Sequence, residues 1–392
     1  MIKVFLACPT LGRTNRGIES FTRECFDSLS KVSSLDVTLF KGGGFSYKKD
    51  VTLWNLQRDD WLTSQLVQRD DWLTSQLVGV FNLISDKSNP SLVEEGTFFL
   101  SLLPHIYFVK PDVIYFSHYG LGSLLWHWRR RTNQNFKLLY RNGGPTGGEA
   151  LKKLRFRFDH VQQLAPTHLQ LALDAGVPTE KQSLVPNAIH MSSELKMLTF
   201  DEREALRRKL ALPEKRPLVL SVGAINKYHK RMDYVIREVS TLPKPRPYLL
   251  LLGQQDAESP EVFQLGNELL GSDNFKVRTV TQNQVTDYYK AADVFVLASL
   301  REGFPRVCIE AMSHGLPCLV HDYDTTRYIL GDEGYLANLE LTGSLAGLLI
   351  HAIAEAHDVS KCNLRHQRVY ENFSWDMLLP NYVSLIERCT NS

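Results

Sequence analysis

The chain has 392 residues, 43% of them hydrophobic and 22% charged, and a formal net charge of +2. One hydrophobic core rarely grows past about 250–300 residues, so two domains are expected. The near-neutral balance excludes nucleic acid as a global partner, because that partner demands a marked basic excess.

Short apolar runs alternate with amphipathic stretches, the pattern of parallel sheets covered by helices. In the first half the runs predict strands over 3–7, 37–40, 113–116, 138–140 and 183–185. In the second half they predict strands over 218–222, 248–252, 277–279, 294–298 and 317–320. Loop formers follow several of these runs, as in Cys8-Pro9-Thr10-Leu11-Gly12, Gly143-Gly144-Pro145, Val222-Gly223 and Leu252-Gly253. One plan is repeated, so the expected fold class is α/β, with two Rossmann-like, doubly wound domains facing across a cleft. Ligands of such sheets bind beyond the carboxyl ends of the strands. The expected domains are 1–190 and 191–372, followed by a closing segment over 373–392. Phe200-Asp201-Glu202-Arg203-Glu204 opens a charged helix, with Asp201 as its candidate cap.

Gln57 to Val67 recurs without change as Gln68 to Val78. Eleven residues are close to three helical turns, so the repeat would lengthen a helix by about 16 Å while keeping Trp61 and Trp72 near one stripe. A duplicated surface helix and a partner-binding element both fit. Asp59-Asp60 and Asp70-Asp71 read as solvated helix charges. Trp126-His127-Trp128-Arg129-Arg130-Arg131 and Leu151 to Phe158 are basic-aromatic runs, suited either to an anionic membrane surface or to a solvated face over a buried stripe.

The six cysteines lack CxxC spacing and read as reduced thiols. Residues 1–7 are too short for a signal-peptide core. No stretch reaches the roughly 18 apolar residues of a membrane span. A cytoplasmic location is therefore expected, with peripheral membrane contact as the open alternative.

Chemistry concentrates at 299–317. Residues 299–304 read as a loop after a strand, Pro305 suits the first helical position, and Gly315 suits the stop, giving a short helix over 306–314. The amides and dipole at its start favour an anion such as a diphosphate. Glu302 precedes that helix and Glu310 lies within it. Each carboxylate can accept paired hydrogen bonds from vicinal hydroxyls. The same residues also fit a capped surface helix with two solvated glutamates.

Glu302 to Glu310 resembles the Glu-x7-Glu motif of retaining GT-B glycosyltransferases, and the continuation Ala311-Met312-Ser313-His314-Gly315-Leu316-Pro317 narrows the resemblance to glycosyltransferase family four (glycosyl transferases group 1). Pro111 to His118, Val185-Pro186-Asn187-Ala188, Leu220 to Gly223 and Ala291 to Ser299 match as well. The resemblance implies a retaining, metal-independent hexosyltransferase that needs no cofactor beyond a nucleoside-diphosphate-sugar donor, and it implies that the closing segment 373–392 is a helix that crosses back to the first domain as a hinge. It implies that Glu310 bonds the ribose and Glu302 approaches the donor sugar. The backbone of Gly303, Phe304, Arg306 and Val307 would hold sugar and phosphate. Lys230 would neutralise the diphosphate, with Arg231 beside it. Gly17, in a glycine-rich loop, would let the first domain's backbone approach phosphate, and His118 would face the reacting carbon. As a lone histidine at a strand end, His118 also fits a purely structural role. Asp322-Tyr323-Asp324 reads as loop structure, and no metal site is expected.

Two positions depart from the family pattern. Ala224 stands where the family carries arginine, so Lys227, Arg231 or Arg306, or Arg13 and Arg16 of the first domain, would have to supply that charge. Pro305 replaces a glycine and removes one backbone donor. These departures keep open a degenerate, non-catalytic sugar-nucleotide-binding or scaffold protein. An epimerase or phosphorylase is the third option. The sugar, the base and the acceptor are not named by the sequence, and neither is the oligomeric state.

Overall fold

A computed structural model describes residues 1–14, 16–58, 60, 90–144 and 148–392. Almost all of the duplicated segment 57–78 lies outside the described residues. The chain divides into two compact units, Met1–Asn187 with Leu378–Ser392, and Ala188–Met377. The final helix, Trp375–Asn391, begins in the second unit, and its length from Leu378 counts with the first.

The first unit holds a seven-stranded sheet in the order β3-β2-β1-β4-β5-β6-β7. The strands are β1 (Ile2–Cys8), β2 (Leu35–Lys41), β3 (Asp50–Thr52), β4 (Val113–Phe116), β5 (Lys137–Asn142), β6 (His160–Gln163) and β7 (Gln182–Leu184). Every pairing is parallel. The order reverses between β1 and β4, which puts the crevice for a ligand past Cys8 and Phe116. Phe5, Phe40, Phe98, Leu102, Phe116 and Phe158 are buried together in its core.

β6 escaped the apolar-run reading because its sequence is His-Val-Gln-Gln. Its amides are buried and paired sideways. Asn142 Nδ2 donates to Gln163 Oε1 at 2.9 Å, Gln163 Nε2 donates to Gln182 Oε1 at 2.9 Å, and Gln162 Nε2 donates to the Val185 carbonyl at 2.7 Å. Satisfied polar groups can replace apolar ones in a sheet interior. β3 was missed because three residues carry no period.

The basic-aromatic runs lie on the helices Tyr119–Thr132 and Gly148–Arg157. Trp126 and Trp128 pack against the core, Arg129 pairs with Asp159, and Arg157 donates to Ser123 Oγ at 2.6 Å. Arg129 and Arg157 thus serve the unit itself. Among the described residues no helix is long and apolar enough to cross a membrane.

The second unit holds a six-stranded parallel sheet in the order β10-β9-β8-β11-β12-β13. The strands are β8 (Leu218–Val222), β9 (Tyr248–Leu252), β10 (Phe275–Arg278), β11 (Val294–Leu297), β12 (Cys318–His321) and β13 (Tyr335–Ala337). β13, half-buried throughout, was not read from the sequence. The order reverses between β8 and β11, so Gly223 and Ser299 leave the sheet on either side of the switch point.

Two cap assignments change. The helix Phe200–Lys209 is capped by Thr199, whose Oγ1 accepts from the Glu202 amide at 3.3 Å while Glu202 Oε2 accepts from the Thr199 amide at 2.8 Å. This reciprocal box satisfies two end amides, and Asp201 falls inside the first turn. Pro305 is the N-cap of the helix Arg306–Ser313 rather than its first residue. Gly315 ends that helix at φ +77, where an added Cβ would also lie 2.9 Å from Cys362 Cβ.

Candidate functional site

The loop after β8 is shaped by glycine and asparagine. A Cβ on Gly253 would lie 1.7 Å from the Gly223 carbonyl oxygen, so these two strand ends meet backbone to backbone. A Cβ on Gly223 would stand 3.1 Å from Cγ, Cδ and Cε of Lys230. The lysine stem therefore lies flat across the strand end. Asn226 sets the turn that delivers it, since its Oδ1 accepts from the Lys230 amide at 2.8 Å and from the His229 amide at 3.3 Å.

Lys230 Nζ reaches Glu302 Oε1 from the other side of the switch point, and the two side chains keep only 16% and 13% of their surface exposed. His229 Nε2 stands 3.8 Å from the same carboxylate oxygen. The Glu302 amide donates to the Tyr323 hydroxyl at 3.0 Å, and burial pushes the Tyr323 phenol well above its ordinary pKa. The loop is pinned by Phe304, which packs edge-on against Phe373 with centroids 5.8 Å apart. Ser299 Oγ is buried with no hydrogen-bond partner among the described residues.

The helix Arg306–Ser313 starts four residues past Glu302, so its first turn lies beside that loop, with the Cys308 amide donating to the Pro305 carbonyl at 3.0 Å. Val307 lies in this first turn, and Gly303 and Phe304 lead into it. Glu310 sits one turn deeper. Its Oε2 accepts from the Tyr289 hydroxyl at 3.1 Å, and Arg306 Nε stands 3.6 Å from its Oε1. Burial, with the Glu310 carboxylate beside it, raises the Tyr289 phenol well above its ordinary pKa, so it stays a donor to the carboxylate. Two carboxylates, one cation and a helix start are thus assembled along one edge of the sheet. The arrangement can bind a diphosphate and hydroxyl-bearing rings.

The substitutes considered for Ala224 have other partners. Lys227 Nζ pairs with Glu261. Arg231 Nη1 donates to the Leu339 carbonyl at 2.8 Å and the Ala298 carbonyl at 3.4 Å, and its guanidinium covers the Tyr234 ring at 4.4 Å. Arg306 is buried and donates to the Ala188 carbonyl at 3.4 Å. Arg231 also caps the helix Met232–Ser240 at φ +51, the left-handed region that favours glycine. That strain costs about 1 kcal/mol, and the side-chain bonds offset it. Arg231→Ala should therefore lower stability by about 1–3 kcal/mol, and Arg231→Gly by less, because glycine relieves the backbone. Thermal melts of the two variants check the order; equal melts would contradict it.

In the first unit Gly17 opens the helix Gly17–Leu29. Glu19 ties the preceding loop, accepting from Thr14 Oγ1 at 2.7 Å and from the Arg16 amide at 3.1 Å. Arg13 Nη2 donates to the Asn55 carbonyl at 3.0 Å. His118 caps the helix Tyr119–Thr132, with Nε2 at 3.3 Å from Thr10 Oγ1. Thr10 and His118 follow the adjacent strands β1 and β4, which is why they meet. Burial lowers the His118 pKa to about 4, so the imidazole is neutral near pH 7.

Sequence reasoning passed over Asn226, Tyr289, Tyr323 and Ser299. Asn226 had a local signal, an asparagine shortly before a helix start. The tyrosines had none, because each meets its carboxylate residue 21 positions away through the fold.

Residues 202–363 match the family model described as glycosyl transferases group 1. The alpha-galactosylglucosyldiacylglycerol synthase of Streptococcus pneumoniae (strain ATCC BAA-255 / R6) is 26% identical over 186 residues, 44% of this chain and 46% of that one. The D-inositol 3-phosphate glycosyltransferase of Mycolicibacterium smegmatis is 26% identical over 298 residues, 69% and 67% of the two chains. The chain spans about half or less of the first of these relatives. Among solved structures, sucrose-phosphate synthase of Thermosynechococcus elongatus superposes with a TM-score of 0.76 at 17% identity, covering 99% of both chains. Anabaena HepE in complex with UDP and glucose superposes with a TM-score of 0.74 at 14% identity, covering 99% of this chain and 100% of that one. At such identities the likeness shows the fold, two Rossmann-like units of the GT-B type.

Proposed function

Residues 202–363 match the model of glycosyl transferases group 1, and from that premise we propose that the chain transfers a sugar from a nucleoside-diphosphate donor to an acceptor hydroxyl. The observation that carries this reading is the partly buried Lys230–Glu302 pair at the switch point of the second sheet. HepE, of the same fold, was solved in complex with UDP and glucose.

The chemistry follows from the groups present. The bond from the sugar's anomeric carbon to the diphosphate oxygen breaks, and negative charge builds on the leaving phosphate. Lys230 and the amides that start the helix Arg306–Ser313 stabilise that charge. Glu302 accepts bonds from the sugar hydroxyls. Glu310 accepts from the ribose hydroxyls while Tyr289 fixes one of its oxygens. The acceptor oxygen bonds the anomeric carbon, and its proton passes to the leaving phosphate. The finer reading is retention of anomeric configuration without a metal. An inverted product or an EDTA-sensitive rate would overturn it.

Glu310→Gln keeps the shape but gives one oxygen position to a donor. Donor KM should rise about 10-fold or more, equivalent to about 1.4 kcal/mol, with a smaller change in kcat. An unchanged donor KM in steady-state kinetics would remove Glu310 from the site.

One observation favours a second reading. Ala224 lacks the family's cation, and Lys227 and Arg231 are engaged elsewhere. Such a site would bind donor with little turnover. Calorimetry beside a product assay separates the two, since binding without transfer to any acceptor supports the second.

A further inference from the structure

A second cavity lies at the far end of the helix Arg306–Ser313 and has a volume of about 50 Å³. One water needs about 10–15 Å³, so this volume accepts a few waters or one tetrahedral anion. Lys196, Arg203, Lys290, His314 and His357 line it, and none of its thirteen lining residues is Asp or Glu. Lys196 and Lys290 are exposed at its edge and form no ion pair among the described residues.

The carboxylate that Arg203 and His357 share is outnumbered by cations. Asp293, 4% exposed, accepts from Arg203 at 3.1 Å and from Arg207 at 2.7 Å, with His357 at 2.8 Å. Two guanidiniums on one carboxylate leave a net positive charge. Met197, Leu198 and Leu316 add apolar lining, and that lowers the local dielectric and strengthens attraction for an anion.

We propose that this cavity is a binding site for a small tetrahedral oxyanion, either free phosphate or the phosphate of a small monoester. It lies apart from the donor site but touches its support. Tyr289 lines the cavity and holds Glu310 Oε2 by its hydroxyl. His314, stacked on Tyr289 at 5.6 Å, reaches the Glu310 carbonyl at 2.9 Å. On the reading that Glu310 holds the ribose, an occupied cavity fixes Tyr289 and so tunes donor affinity.

The test is calorimetry on the full chain with inorganic phosphate and with glycerol 3-phosphate. Wild type binds, and Lys196→Ala/Lys290→Ala weakens binding about 10-fold or more. Both are exposed surface changes, and a melt confirms folding. Lys230→Ala, which disables the proposed donor cation, leaves this binding intact. Binding of phosphate alone identifies the free ion, and equal binding of the ester identifies a phosphorylated metabolite. No binding, or binding lost in Lys230→Ala and kept in the double variant, overturns the site. The link is read separately as UDP affinity with and without saturating phosphate. Phosphate shifts it in wild type and not in Tyr289→Phe; no shift in wild type removes the link and leaves the proposed function untouched.

Discussion

Lys230→Ala is expected to lower kcat for sugar transfer by about 10²–10³-fold, with donor KM changing far less. The lysine is placed by three independent restraints. Its amide is held by Asn226 Oδ1 at 2.8 Å, its stem lies against Gly223, and its ammonium meets Glu302. A cation held in place before the reaction stabilises leaving-group charge without reorganising, which is the condition for a kcat effect of about 3–4 kcal/mol. Lys230→Arg should not restore the rate, because a planar, delocalised fork replaces the compact point charge of the ammonium at the leaving group. The alanine variant strips a partly buried carboxylate of its cation, so its melting point must be measured beside kcat. A folded variant with kcat within threefold of wild type would sink the assignment.

Asp293→Ala should be the most damaging single change to the second unit, at about 3–5 kcal/mol. The reason is what it leaves behind. Arg207 is 3% exposed, and among the described residues Asp293 Oδ2 is its only carboxylate partner, at 2.7 Å. The same oxygen also accepts from the Leu218 amide at 2.6 Å, the first residue of β8. Removing the carboxylate buries an uncompensated charge and frees the start of a central strand. For a unit of this size each kcal/mol shifts the melting point by about 2–4 °C, so a drop of roughly 6–20 °C is expected. Burial alone would raise the Asp293 pKa, but His357, Arg207 and the Leu218 amide outweigh it, and the net shift is downward. A carboxylate with a depressed folded pKa contributes fully above its unfolded value, about 3.9, and loses that contribution as pH falls through the lower folded value. The melting gap between wild type and variant should therefore hold from neutral pH down to about 4 and close only below it. A gap that closes between pH 7 and 5 would contradict this account.

The sheets were legible where strands are wholly apolar. Leu218–Val222 and Tyr248–Leu252 are buried at every position, and their runs mark them without offset. Legibility failed at His160–Gln163, where amides do the work of aliphatics, and at three-residue edge strands. The cap at Thr199 was missed because Asp201 drew the eye, although the Thr199/Glu202 spacing carries the reciprocal box. At the site, Glu302 and Glu310 shared one local motif, whereas Lys230 lies 72 residues away from its partner. Only the resemblance joined them in advance. Tyr289 and Tyr323 were invisible because nothing local distinguishes a tyrosine that will meet a carboxylate, or the backbone of a loop, from one that fills a core. The same holds for Arg231. Its charge suggested a phosphate ligand, and its left-handed backbone and carbonyl partners are properties of the folded loop alone.

The amide row across β5, β6 and β7 bears on how the first sheet avoids misassembly. Apolar parallel strands slide past one another by two residues with little penalty, since each aliphatic finds another. Asn142, Gln163 and Gln182 do not allow this. Their side chains meet donor to acceptor in one alignment only. A two-residue slip would strand several buried amide groups at about 1–3 kcal/mol each. These residues therefore act as a key, rejecting neighbouring alignments at the edge where strands are shortest and hydrophobic contact discriminates least.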